Sequence, residues 1–450
     1  MTESTLPESL PPEPVDPAVR PSPVAPADGS VTPRARRRAV TAVAIGNLLE
    51  WYDFAVYAGL AAVLAGLFFP AGDPLVSLLA SFSVFAVGFA ARPVGAIVFG
   101  RMADRYGRRP TLLVVITVMG AATVLIGIMP TYAIAGVWAA LLLVLARTAQ
   151  GLSVGGEFSS STAFLVEFAP RGKRGLYGSI AYLTACLGSF VGLGVVFLVR
   201  SLSTPEFLAT WGWRIPFLLS FPLLAIGLYI RLKVQESPAF RTAAPSDEGP
   251  LTTSVRTQRR GMFSLFGITV GFAVCSYTVL AFVVSYVTTV LRYPPSLAYT
   301  SILISTLLGS VSIPFFGALS DRVGRRPVIL AGAIGTALVA YPAYLLLSVG
   351  TMAAAIAGQL LIWLFMAMLC GACPAAFSEM FPTRLRTTAV GVSYSLALAL
   401  FGGTTPFVST WLIEWTGSVV APAAFVVATA LVSMVAALRM RETVRFDLPD

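Results

Sequence analysis

Glu50, Asp53, Arg92, Arg147 and Glu157 stand inside stretches that are otherwise apolar. A charge held in such surroundings is expensive unless it is paired or put to use. Three carboxylates against two arginines leave one acid without a partner by count. Burial favours the neutral form of such an acid and a nearby arginine favours the carboxylate, so a conformational change can load or release a proton. Asp53 is the first choice as proton carrier because it lies deeper along its run than Glu50, with Glu157 as the third candidate. The plainer reading is that all five form fixed ion pairs that only hold helices together. The arginines suit a second task. Arg stays charged at any working pH and can grip both oxygens of a carboxylate, which makes Arg92 and Arg147 candidate substrate anchors. The chain has no His, and so lacks the commonest neutral-pH base and the commonest metal ligand. No metal, no cofactor and no enzymatic nucleophile–base pair is expected, and no Gly-x4-Gly-Lys-Ser/Thr loop for nucleotide phosphates is present.

These residues need helices to aim them. At about 100° per residue, Asn47, Glu50, Asp53 and Tyr57 fall on one helical face, and Arg147, Gln150 and Glu157 on another. The first stripe is expected to line the central cavity or its edge. Arg92 precedes Arg101 by two and a half turns, about 14 Å of helix rise, which puts it well inside the apolar run. Tyr182 and Tyr277 lie on central runs and join Arg92, Arg147, Asn47, Tyr57 and Gln150 as candidate substrate contacts, although aromatic residues in such runs more often pack than bind. Gly402, Gly403 and Pro406 can break a helix at membrane depth and expose backbone to a cavity. Gly188 and Gly192 read as a close helix crossing, and Cys370 with Cys373 as core packing.

Composition fixes the class of the fold. Of 450 residues, 56% are hydrophobic and only 12% charged, with a mean hydropathy of +0.81. A soluble domain cannot hide that much apolar surface behind so few charges. Apolar runs near membrane-spanning length recur from Ala39 to Leu438, at 39–69, 74–101, 110–130, 135–166, 174–200, 211–232, 262–291, 297–318, 327–349, 352–380, 387–413 and 418–439. The expectation is an all-α integral membrane protein of twelve spans. A β-barrel is excluded by the lack of period-two alternation. The net charge of +10 does not signal nucleic acid, because the basic residues cluster in alternate gaps between spans. That is the positive-inside pattern, and it places both termini in the cytoplasm. Residues 1–38, rich in Pro, Ser, Glu and Ala, read as a disordered cytoplasmic tail, and 441–450 as a short C-terminal one.

An internal repeat divides the chain. Gly100-Arg-Met-Ala-Asp104-Arg105-Tyr-Gly107-Arg108-Arg109-Pro110 recurs as Gly317-Ala-Leu-Ser-Asp321-Arg322-Val-Gly324-Arg325-Arg326-Pro327, and Glu167 with Arg174 recurs as Glu379 with Arg386 at nearly the same offset. Two six-helix bundles follow, 39–232 and 261–440, joined by a polar central loop at 233–260. Asp104 and Asp321 sit among arginines near helix ends, where they can pair with an Arg or a helix N-terminus and close one side of the molecule. Glu167 with Arg174 and Glu379 with Arg386 are expected to form matching latches. The competing reading is that these arginines only set topology and contact anionic headgroups.

At these motifs the sequence resembles the major facilitator superfamily, whose most recognisable feature is the Gly-x3-Asp-Arg-x-Gly-Arg-Arg loop. The segment Arg147-Thr-Ala-Gln150-Gly151-Leu-Ser-Val-Gly155-Gly156-Glu157 is similar to its span 4 motif. Gly46-Asn47-Leu-Leu-Glu50-Trp51-Tyr52-Asp53-Phe54, Arg92-Pro93 and Trp211-Gly-Trp213-Arg214-Ile-Pro216-Phe217 resemble, more narrowly, the metabolite:proton symporters, which carry α-ketoglutarate, citrate, shikimate or proline and betaine. The resemblance implies a secondary active transporter of the bacterial inner membrane, working as a monomer by alternating access among lipids. Its main expectation is proton-coupled uptake of a small organic carboxylate, a di- or tricarboxylate. The alternatives are a proline/betaine-type zwitterion symporter, a proton antiporter that exports, and a membrane sensor that does not transport.

Overall fold

The computed structural model describes residues 33–106, 108–155, 157–167, 169–170, 172–232 and 250–444. Every element among them is helical. Eleven helices are long and apolar enough to cross a membrane, and the shorter apolar helix Leu113–Ile128 completes the expected twelve. In chain order the spans are Ala44–Phe68, Pro74–Phe99, Leu113–Ile128, Val137–Val154 with its continuation Glu157–Glu167, Arg174–Leu202, Pro205–Ile226, Arg256–Val290, Pro295–Val323, Arg325–Leu347, Met352–Glu379, Thr388–Thr416 and Pro422–Arg439.

The repeat seen in the motifs is also the repeat of the packing. Span 1 lies on span 5, span 2 on span 4, and span 3 on spans 4 and 6. Six spans later, span 7 lies on span 11, span 8 on span 10, and span 9 on spans 10 and 12. The halves meet where span 5 crosses spans 8 and 10, span 2 meets span 11, and span 1 meets span 7. Large apolar side chains such as Leu202, Ile134 and Leu338 remain exposed, which suits a surface that faces lipid rather than water. Trp138, Trp211, Trp411 and Trp415 are exposed at the end opposite the Asp–Arg loops, where amphipathic rings mark a bilayer interface.

Several expected boundaries shift. The first helix starts at Pro33, inside the segment read as a tail, with Pro favoured there because the first turn needs no backbone donor. A single helix runs from Pro250 into span 7, so the end of the expected central loop is helical, and the remainder, 233–249, lies outside the described residues. Beyond span 12, Arg441–Val444 is not loose. Glu442 caps the start of span 9, accepting N–H bonds from Arg325 at 2.8 Å and Arg326 at 3.0 Å.

Local sequence explains the bends. Pro93 has no N–H to give the carbonyl of Phe89, so span 2 breaks at Ala91 into Pro74–Ala90 and Arg92–Tyr106. Span 11 widens into a π turn at Leu398–Gly402 and restarts at Thr405, with Pro406 in its first turn, as the Gly402-Gly403-Pro406 signal led one to expect. Span 7 carries π turns at Thr278–Phe282 and Tyr286–Val290. Their sequence shows no glycine or proline to announce them.

Candidate functional site

Glycine sets the distance between the helices that carry the two arginines. A methyl group on Gly151 of span 4 would overlap the Gly88 carbonyl of span 2, and one on Gly95 would overlap the Leu152 carbonyl. Contact this close brings Arg92 and Arg147 together, although both are cations. Both are buried, at 4% and 1% exposure.

Aromatic rings surround the pair. The Arg92 guanidinium lies 4.0 Å from the Phe89 ring and 4.7 Å from Phe54, and that of Arg147 lies 4.2 Å from Tyr57 and 5.2 Å from Phe85. Cations favour the negative face of a ring, so these contacts offset part of the cost of burying two positive charges. Tyr277, from span 7 of the other half, closes the ring of aromatics with edge contact to Phe89 at 5.0 Å and lies 5.9 Å from Trp51. On both arginines, Nε and Nη2 are buried without an acceptor among the described residues. Buried N–H groups rarely stay unpaired.

The polar stripe of span 1 does not face one cavity. Asn47 donates to the Ala181 carbonyl of span 5 at 3.1 Å, a packing bond. Glu50 lies near Tyr277 and Tyr394 of the opposite half. Asp53 turns into its own half, where Oδ2 accepts the Thr123 hydroxyl at 2.7 Å, and Tyr57 donates to the Ser81 carbonyl of span 2 at 3.0 Å. The helical wheel predicted a shared face, but four different neighbours divide it. Asp53 also borders a cavity of about 30 Å³ between spans 1, 3 and 6, lined by Tyr52, Met119, Ser220 and Leu224, room for water. In span 4, Arg147 Nη1 donates to Gln150 Oε1 at 2.8 Å, and Gln150 Nε2 donates to Thr123 at 2.6 Å. An unbroken chain of bonds therefore joins Arg147, Gln150, Thr123 and Asp53. Thr123 was not among the sequence candidates, and a lone threonine in an apolar run gives no signal. Tyr182 bonds Tyr394 hydroxyl to hydroxyl at 3.0 Å across the halves. The side chain of Glu157 lies outside the described residues.

The expected latches exchange partners. Glu167 pairs with Arg386 at 2.6 Å rather than with Arg174, and Glu379 approaches Arg174 at 4.0 Å rather than Arg386. Both pairs thus bridge the halves, and only a bridging pair must break when the halves separate. Glu379 is gripped by Arg325 through Nη2 at 3.0 Å and Nε at 3.2 Å, and receives the Thr443 hydroxyl at 2.6 Å. Asp321 accepts the Gly175 and Leu176 N–H groups at 2.8 and 3.0 Å, capping the N-terminus of span 5 in the other half. Arg325 also meets Asp321 at 2.9 Å. Arg322 is exposed, and Arg326 ties span 9 to the Leu438 carbonyl at 2.7 Å within its own half. The side chains of Asp104, Arg105, Arg108 and Arg109 lie outside the described residues, on helical backbone. At the opposite end the Tyr299 hydroxyl donates to the Gly59 carbonyl across the halves at 2.7 Å. The halves are therefore joined at both ends, with the arginine pair sealed between them.

Known proteins match this chain along nearly its whole length. The model of the family described as sugar (and other) transporter matches residues 39–249, and that of the major facilitator superfamily matches residues 266–447. The chain is 34% identical over 420 residues to the proline/betaine transporter of Salmonella typhimurium, covering 90% of this chain and 84% of that one. It is also 34% identical to the glycine betaine/proline/ectoine/pipecolic acid transporter OusA of Dickeya dadantii, covering 90% and 83%. In fold it is similar to the partially occluded inward open conformation of the xylose transporter XylE from E. coli, with a TM-score of 0.72 at 19% identity over 92% of this chain and 99% of that one. The paired half-repeat, the Asp–Arg loops and these relatives together show that the chain belongs to the major facilitator superfamily and, within it, to the metabolite:proton symporter family.

Proposed function

We propose that this membrane transporter takes up a small zwitterion of the betaine or proline class together with protons, by alternating access. The observation that carries the reading is the buried arginine pair ringed by aromatic side chains, with Asp53 bonded to it through Thr123 and Gln150. The free N–H groups of Arg92 and Arg147 suit the substrate carboxylate. The rings of Trp51 and Tyr277 suit an alkylated ammonium. The named substrates of the relatives favour a zwitterion over the di- or tricarboxylate expected from the sequence. Proton uptake by Asp53 leaves the site one unit more positive and so favours binding of the carboxylate end. Glu50 and Glu157 remain the other proton-carrier candidates.

The Asp–Arg loops and the cross-half pairs are the cytoplasmic gate in this reading, with both termini on the same side in the inner membrane. Cysteine placed at Thr204 is then labelled by an impermeant thiol reagent on intact cells, and cysteine at Lys173 is protected. In proteoliposomes under an imposed pH gradient, labelled glycine betaine or proline accumulates, and Asp53→Asn keeps exchange but loses uphill accumulation. Accumulation of citrate or α-ketoglutarate in place of either zwitterion restores the carboxylate reading. No flux of any of them leaves the sensor alternative.

A further inference from the structure

Thr123 is completely buried, and its single oxygen has three neighbours. It lies 2.7 Å from Asp53 Oδ2, 2.6 Å from Gln150 Nε2 and 3.1 Å from the Met119 carbonyl oxygen. A hydroxyl has one proton to give and two lone pairs. The Gln150 amide fills one lone pair in any state, because Arg147 donates to its Oε1 at 2.8 Å and so turns the NH₂ group toward Thr123. One proton and one lone pair remain, and two neighbours compete for them.

The competition has two solutions. With Asp53 as carboxylate, the Thr123 hydroxyl points to Oδ2. With a proton on Oδ2, the acid becomes the donor to the second lone pair of Thr123, and the Thr123 hydroxyl turns to the Met119 carbonyl, which can only accept. The proton on Asp53 comes from solvent, and Thr123 keeps its own. No heavy atom has to move, and the Thr123 hydroxyl and Asp53 Oδ2 are bonded to each other in both states, while Asp53 Oδ1 is buried without a partner among the described residues.

We propose that Thr123 is a positioning residue for proton coupling, a rotating hydroxyl that holds Asp53 in both of its protonation states and ties it through Gln150 to Arg147. The inference rests on the reading of Asp53 as proton carrier. Glu50, Tyr52 and Tyr57 neighbour Asp53 on span 1, with Arg147 on span 4 and Arg92 on span 2 facing the same network. Spans 3 and 6 border it with Ile116, Met119, Gly120, Ser220 and Leu224, none of which titrates. Thr123 is therefore the polar group that span 3 offers to Asp53.

A bond to a charged acceptor is roughly twice as strong as one between neutral groups, so loss of the hydroxyl harms the carboxylate form more than the acid. Purified wild type, Thr123→Val, Thr123→Ala, Thr123→Ser and Asp53→Asn are compared in proteoliposomes with radiolabelled proline and glycine betaine. The midpoint of the pH dependence of uphill uptake is expected to move to higher pH by about one unit in Thr123→Val and in Thr123→Ala, and to return in Thr123→Ser. A wild-type profile in whichever of Thr123→Val and Thr123→Ala folds, or an equal shift in Thr123→Ser, overturns the proposal while leaving Asp53 as carrier if Asp53→Asn has lost accumulation. Normal accumulation by Asp53→Asn removes the carrier reading and the relay with it.

Discussion

Replacement of Asp321 by Asn tests whether the second Asp–Arg loop is a gate. Its carboxylate accepts two N–H groups from span 5 of the other half, at 2.8 and 3.0 Å, and meets Arg325 at 2.9 Å. Asn keeps one accepting oxygen, so one cross-half bond is lost and the other is reduced to neutral strength. Arg325 is not stranded, because Glu379 still holds it through two nitrogens. A hydrogen bond to a charged group contributes about 1.5–3 kcal/mol and a neutral one about 0.5–1.5 kcal/mol, so the lost bond and the weakened one together make about 3 kcal/mol a central figure for the loss of closure. That is a factor on the order of 100 in the closed-to-open ratio at this end. Spin labels at Lys173 and Arg322, both exposed and on opposite halves, report the change by electron–electron double resonance. The expected result is a larger long-distance population with slower transport at normal abundance, since the cycle must pass through the closed state. An unchanged distance distribution in both Asp321→Asn and Asp321→Ala refutes the gate and leaves topology as the role of the motif.

Gly151→Ala pushes a methyl group onto the Gly88 carbonyl, and overpacking of this kind costs about 1–3 kcal/mol; a fall in thermal stability and membrane abundance is expected, and wild-type stability would show that the helix crossing is not tight. Tyr299→Phe removes the bond to Gly59 at the opposite end, worth about 0.5–1.5 kcal/mol, so thiol labelling of a cysteine at Phe197, a span 5 residue whose ring stacks on Tyr299 at 5.9 Å, is expected to rise about 2- to 10-fold; unchanged labelling sinks the assignment. Glu442 has its own pH signature. Burial works against its charge, but N–H bonds from Arg325, Val444, Arg326 and Thr443 outweigh burial and hold it below the ordinary glutamate value. A carboxyl depressed by folding stabilises the folded state above its unfolded value and loses that contribution only as pH falls through the folded value, so the tie persists throughout pH 5–8. Glu442→Gln is accordingly expected to lower thermal stability at neutral pH and to leave the pH profile of transport unmoved; a moved profile contradicts it.

Relations within a few helical turns were legible from the residues alone. Twelve spans, their division into two halves, the break around Gly402 and the existence of buried charges all follow from hydropathy, a repeated motif and local backbone chemistry. Partner choice was not legible. Glu167 takes Arg386 instead of the Arg174 nearby in its own half, Asn47 bonds span 5 backbone instead of lining a cavity, and Asp53 answers to Thr123, distant in sequence. A sequence fixes which face of a helix is polar, because that depends on a constant rotation per residue. What each residue on that face meets depends on how helices cross, and glycine contacts such as Gly151 on Gly88 and Gly317 near Gly175 set those crossings. Only the packed bundle decided that the Glu167–Arg386 and Glu379–Arg174 contacts join the two halves and that the arginines share one aromatic chamber, since both are properties of the interface between spans and not of any span alone.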